Sequence, residues 1–346
     1  MARLRRVNWK EKTEEAKKAL ELHNSSNYLK IILENYFLYN SYARADIAKL
    51  LNDHLQTIRK NGAQSKAVQK NIFLEIYSKY IQVSEDLALV GNLLLNSKNK
   101  EINSLSIYME SNNSDILSFY KRAYAGFSDK EIKKIMGIDK LFEYIKSAQH
   151  LSKEEIVSYE SIISESIKIE KNNLKMLAKL YIEEFKNEKG DNQLIQAGPI
   201  DVYNGIKHGY KVVYPTKLAK SLWTQITEDS VDVMHQVVED ESTGQKIIIL
   251  GGFGEINDDI INSIMFNIEH FSEELHLMCE IRLWSEKDPM FVIKRFRLTK
   301  TEEELKKKKI NVNDKCPCGS GIKYKRCCKF FKYEYDKIDP YSIVDI

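Results

Sequence analysis

Four cysteines near the C-terminal end carry the clearest chemistry in this chain. Cys316 and Cys318 flank Pro317, Cys327 and Cys328 are adjacent, and eight residues separate the two pairs. Thiolates are soft donors, and four of them are the preferred set for a closed, tetrahedral structural zinc site. Gly319-Ser320-Gly321 between the pairs permits the tight turn that brings both onto one ion. Four thiolates around Zn²⁺ would leave a net negative charge. Lys315, Lys323, Lys325, Arg326 and Lys329 offset it and favour ionised thiols. A segment this short builds no core of its own, so metal binding would supply its folding free energy, on the order of 10 kcal/mol or more. The remaining cysteine, Cys279, stands alone in an apolar stretch and reads as a small core residue.

The run Cys316-Pro-Cys-Gly-Ser-Gly-Ile-Lys-Tyr-Lys-Arg-Cys-Cys328 closely resembles the SEC-C motif, the zinc module found at the C-terminus of the translocase motor SecA and attached to many otherwise unrelated bacterial proteins. Ile322 stands where the motif commonly has lysine and Lys315 where it commonly has proline, and neither position is a ligand. The resemblance implies one structural Zn²⁺ on Cys316, Cys318, Cys327 and Cys328. It also implies docking on a ribosome, RNA or an acidic protein surface through Lys323, Tyr324, Lys325 and Arg326. Catalysis is not expected there, because four protein ligands leave no open position for water. The rest of the chain does not resemble SecA, and no GxxxxGK[ST] phosphate loop occurs.

A second constellation is Asn204-Gly-Ile-Lys-His208-Gly209. It resembles the motif of HEPN domains, helical bundles common in toxin and phage-defence (abortive infection) systems, whose active members are metal-independent RNases. Asn204 and His208 match the polar and histidine positions and become the candidate catalytic residues. Tyr203 stands where an arginine would stabilise charge on a cleaved phosphodiester while His exchanges a proton. The alternative reading is a helix C-terminus, with Lys207 and His208 meeting the helix dipole and Gly209 as the cap.

Other signals have simpler readings. Gly251-Gly-Phe-Gly254 lacks the spacing of a phosphate cradle and reads as a strand-to-helix turn. His276 and Cys279, three apart on an expected helix, read as core rather than as half of a metal site with His270. Tyr324, Phe330, Phe331, Tyr333 and Tyr335 lie among lysines, which suits either a ribonucleoprotein or protein face or packing of the tail onto the body.

Charge separates the chain into parts. The 346 residues hold 53 Lys and Arg against 50 Asp and Glu, a net +3. From Lys294 to Lys332 there are 14 basic against 4 acidic residues, whereas the last 14 residues carry a net −3. A mildly acidic body thus bears a strongly basic tail, which points to an anionic partner. Lys10, Glu11 and Lys12 interrupt any signal-peptide core, and the apolar run Leu87 to Leu95 is far short of the roughly 20 residues of a membrane span. A cytoplasmic protein is expected.

These sites must be positioned by a mainly α architecture. Apolar residues recur at helical spacing from Tyr28 to Leu55, with a break at Asn61-Gly62, and again from Ala67 to Leu95 through Ile72, Ile76, Tyr80 and Val83. Shorter helices punctuated by Asn112-Asn113 and Gly126 follow. Ser152 and Glu155 have capping-box spacing and predict a helix to about Lys186. Val212 to Tyr214 reads as a short strand, and Val231 to Val238 with Lys246 to Leu250 as a β-hairpin. Ile256 to Ile281 returns to helical spacing, while Phe291, Ile293, Phe296 and Leu298 suggest one more strand. The expected organisation is a helical bundle over 1–190, its continuation with a small β-hairpin insertion over 191–298, a basic linker at 299–313, the zinc module at 314–332 and an acidic tail at 333–346.

Overall fold

The computed structural model describes residues 30, 32–34, 41–62, 65–96, 112–147, 151–186, 192–196, 212–213, 215–223, 226–227, 230–239 and 242–335. Helix α1 (Ser41–Asn61) ends at Gly62, whose φ of 60° is the left-handed conformation that breaks it. Helix α2 (Lys66–Asn96) follows and is apolar around most of its circumference: Ile76, Ile81, Val83, Leu87, Ala88, Val90 and Leu93 are all fully buried. A helix of that kind sits inside its domain. α2 is the post around which the others pack, with α1 and the later long helix α8 (Asp258–Lys287) as its principal neighbours. On α8 the inward stripe runs Ile261, Ile264, Ile268, Phe271, Leu275 and Met278, alternating steps of three and four.

Three shorter helices, α3 (Asn113–Ala125), α4 (Asp129–Met136) and α5 (Asp139–Ser147), close one side. Helix α6 (Lys153–Tyr181) begins at the expected capping box: Ser152 Oγ accepts from the Glu155 amide at 3.2 Å, and the Glu155 carboxylate accepts from the Ser152 amide at 2.9 Å. α3 approaches α2 closely because Gly91 leaves room for the Phe119 ring. Tyr120 stacks on Tyr181 at 4.1 Å and donates its hydroxyl to the Ser84 carbonyl. Tyr80 likewise donates to the Leu180 carbonyl at 3.1 Å, so these core tyrosines bury their rings with the hydroxyls satisfied.

The β content is small. α6 stops at Tyr181 rather than near Lys186, and the chain turns at once into β1 (Ile182–Lys186), which pairs antiparallel with β2 (Asn192–Gln196). Helix-favouring glutamates at 183 and 184 hid this strand, because a hairpin's partner is supplied from outside the local run. Strand β3 (Val212–Val213) and the hairpin β4 (Ser230–Glu239) with β5 (Lys246–Glu255) form a three-stranded antiparallel sheet in the order β3-β4-β5, and the short helix α7 (Lys217–Leu222) lies between β3 and β4. Gly251 to Gly254 belongs to β5 and is neither a turn nor a phosphate cradle. A side chain at Gly252 would meet the Val231 carbonyl oxygen at 2.3 Å, and Gly254 has φ of 61°, so this stretch carries the irregular end of the hairpin. Phe253 between them packs edge-on against Tyr77 of α2 at 4.5 Å.

The approach to the cysteines is helical. Phe291 to Leu298 is not a strand but part of helix α9 (Pro289–Lys307). Asp288 caps it by accepting from the Phe291 amide at 3.1 Å, with Pro289 in the first turn. Val292, Ile293 and Phe296 fill the core at helical spacing. Lys300 reaches Glu165 of α6 at 2.5 Å, and Arg295 pairs with the buried Glu280 of α8 at 3.1 Å. The lysine-rich run read as a linker from Thr299 is therefore helical through Lys307, and only residues 308–313 lie between helix and motif. Among the described residues no helix is long and apolar enough to cross a membrane.

Candidate metal centre

The chain leaves α9 and makes a turn in which the Asp314 carboxylate accepts from the Asn311 amide at 2.8 Å. Lys315 and Lys323 then form an antiparallel bridge, and the Cys316 amide donates to the Ile322 carbonyl at 2.8 Å. Between them Gly319 (φ 83°) donates its amide to the Cys316 carbonyl and Gly321 (φ 73°) completes the reversal. Both have the left-handed backbone that a side chain would disfavour, which is why the motif spends two glycines here. A single 3-10 turn at Tyr324–Arg326 lifts the chain to Cys327, and helix α10 (Cys328–Tyr335) starts with the fourth cysteine.

The result is a tight cluster. All four Sγ atoms lie within 4.8 Å of one another, with Cys318 and Cys327 at 3.6 Å and Cys327 and Cys328 at 4.0 Å. Sulfurs about 2.3 Å from a tetrahedral zinc ion stand about 3.8 Å apart along each edge, so the donors fit such an ion in kind, number and spacing. Cys316, Cys318 and Cys328 are buried and Cys327 is half-buried. The Ser320 hydroxyl lies 3.1 Å from the Cys327 sulfur. Crowding couples the thiols. Hydrogen bonding from Cys318, then from Cys327 and Cys328, holds the Cys316 thiol far below its ordinary range, while the same contacts, those with Cys316 first, push Cys327 and Cys328 well above theirs. A cation bound among them would hold all four as thiolates, so its binding releases protons.

The centre is also fixed to the body. Leu298 of α9 shares one buried cluster with Cys316, Cys318 and Cys328, and Phe331 of α10 meets Phe291 at 5.9 Å. Lys332 pairs with Glu302 at 2.7 Å. Of the residues expected to face a partner, Lys323, Lys325 and Arg326 are exposed, as are Lys315 and Lys329. Tyr324 is different: its half-buried ring packs against the cysteines, and burial raises its hydroxyl pKa. The aromatic group of the tail is divided in the same way, with Phe331 turned inward and Phe330 and Tyr333 outward.

The other candidate residues are not brought to this centre. Asn204 and His208, with Tyr203, lie outside the described residues. His276 and Cys279 are core: His276 is buried with its ring 4.3 Å from that of Tyr42, and burial pushes the Cys279 thiol up. His270 sits beside Phe266 and pairs with Glu273 at 3.5 Å. Among the described residues, the four clustered cysteines are the one grouping of three or more such side chains that can hold a metal ion. Sequence reasoning missed the residues of α9 that touch the cysteines, Leu298 and Thr301, since nothing local marks them.

Comparison with known proteins agrees with this geometry. The SEC-C motif matches residues 313–329. The protein translocase subunit SecA of Syntrophobacter fumaroxidans (strain DSM 10017 / MPOB) is 38% identical over 65 residues, which is 19% of this chain and 8% of that protein. The similarity thus spans a small part of either chain, and no solved structure matches.

Proposed function

We propose that the chain is a zinc-dependent docking protein, in which the C-terminal module presents a basic face to an anionic macromolecular surface. The observation that carries this reading is the pairing of a closed four-sulfur centre with Lys315, Lys323, Lys325, Arg326 and Lys329, all exposed around it. Four protein ligands leave the ion no site for substrate or water, so the ion's part is to fold the segment and aim its cations. The exposed cations supply the steering and most of the affinity expected for a polyanion.

Co-sedimentation with ribosomes and total RNA at two salt concentrations tests the proposal. The parent chain should sediment in a salt-sensitive manner. A triple charge reversal, Lys323→Glu, Lys325→Glu and Arg326→Glu, should abolish sedimentation with the zinc content unchanged. If each cation contacts one phosphate of single-stranded RNA, the milder variant with Gln at the same three positions should keep residual binding with the log–log salt slope lowered by about 2. Equal sedimentation of parent and variant overturns the role of this face. RNA fragmentation by the parent, removed by His208→Ala, would move the assignment to the RNase reading of Asn204 and His208. A pull-down with an acidic protein bait serves the remaining class of partner.

A further inference from the structure

We infer that Thr301, on helix α9 of the body, is a positioning residue of the metal centre, so that the helical body completes the site that the cysteine motif begins. The inference rests on the metal reading of the four cysteines and goes beyond it, because Thr301 lies outside the motif.

The Thr301 side chain is completely buried, its Oγ1 lies 3.7 Å from the Cys316 sulfur, and it also donates to the Arg297 carbonyl at 2.8 Å. A hydroxyl has one proton to give and lone pairs to receive with. A thiolate at Cys316 can only accept, and the Thr301 hydroxyl is a side-chain group within reach that can donate to it. A hydrogen bond to a ligating thiolate stabilises the charged form and orients the sulfur, which is how contacts around a metal set its affinity. Water does not stand in for the lost contact readily, because Thr301 is buried.

Neighbouring contacts make the placement specific. Leu298, one turn earlier on the same helix, belongs to the same buried cluster as Cys316, Cys318 and Cys328. Beyond it, Phe291 with Phe331 and Glu302 with Lys332 fix α10, whose first residue is the ligand Cys328. The Thr301 hydroxyl therefore reaches both cysteine pairs, through Cys316 and through Cys328. Metal binding and the seating of the module on the body are then one coupled equilibrium, with each strengthening the other.

The test uses the full chain with Thr301→Val, which keeps the volume and removes the hydroxyl, and Thr301→Ser, which keeps the hydroxyl. Zinc affinity is read by competition with a chelating dye, and the sulfur-to-metal charge-transfer band is read after substitution with Co²⁺. Thr301→Val should weaken zinc binding about tenfold or more and shift the Co²⁺ band, whereas Thr301→Ser should stay within about threefold of the parent. Circular dichroism of the metal-free chains should be the same for all three. Addition of zinc should also slow amide exchange in the last two turns of α9 in the parent. Equal affinities for the parent and Thr301→Val, or α9 exchange indifferent to zinc, would overturn the inference. A parent chain that takes up no zinc at all overturns the metal reading itself, a result distinct from both.

Discussion

Arg295 is the residue whose loss should cost the fold most. Its Nε meets Glu280 Oε2 at 3.1 Å, with the Glu280 side chain fully buried and that of Arg295 only 16% exposed. Its guanidinium also faces Glu170 and Glu274, two buried carboxyls of α6 and α8 whose charged forms it favours. Arg295→Met keeps most of the apolar stem and removes the cation from among three carboxyls. Breaking a buried pair this way costs about 3–5 kcal/mol, a large share of the roughly 5–15 kcal/mol that stabilises an ordinary domain. Arg59 provides the contrast: it pairs with Asp258 at 2.5 Å, but Asp258 is 67% exposed, so Arg59→Met should cost about 0–1 kcal/mol. Urea unfolding followed by circular dichroism at neutral pH gives both values. Adding Glu280→Gln to Arg295→Met should recover part of the loss, since the uncompensated charge is then gone. An Arg295→Met chain within about 1 kcal/mol of Arg59→Met would refute the argument that α9 is held by buried charge.

Burial, and then each other's proximity, raises the pKa of Glu170, and burial raises that of Glu274. A folded-state value above the unfolded one contributes stability that is complete below about pH 4.3 and is lost as pH rises through the folded value. Glu170→Gln, neutral at every pH, should therefore gain on the parent in melting temperature between pH 5 and pH 8; an unchanged difference across that range would count against it. Gly91→Ala would place a methyl carbon 2.2 Å from Cε2 of the fully buried Phe119. Overpacking of about 1–3 kcal/mol outweighs the roughly 1 kcal/mol gained in helix propensity, and Phe119→Leu should relieve it in the double variant. Cys328→Ser should leave a chain that keeps no zinc through dialysis while the urea midpoint of the body stays close to that of the parent, because the module's contacts through Leu298, Phe291 and Glu302 all lie on α9. A collapse of the whole helical transition would show that the two parts are not separable.

What could be read from the sequence was local. The four cysteines declare themselves because every ligand falls within 13 residues and the glycines between them admit one kind of turn. The Ser152–Glu155 box and the Gly62 break are likewise complete within a single turn. Where the deciding partner is distant, the reading failed. Phe291, Ile293, Phe296 and Leu298 fit alternation as well as a helix, and the choice is made by the Asp288 cap together with Glu280 on the preceding helix. The glutamates after Tyr181 gave no hint of the strand that Asn192–Gln196 draws them into.

The misread helix matters for function more than its length implies. As a linker, the run from Thr299 would let a basic module search freely for a partner, with an effective concentration set only by its reach. As the last turns of α9 it does the opposite. Glu165 holds Lys300, Leu298 covers the cysteines, and Glu302 holds Lys332, so the cations at 323, 325 and 326 stand at a fixed attitude to the bundle. Docking through that face would then orient the body as well as tether it. The property is testable apart from affinity: inserting a Gly-Ser pair after Lys307 should leave the salt-sensitive binding in place and free the body's orientation, read as a loss of fluorescence anisotropy in the complex for a label rigidly attached to α2.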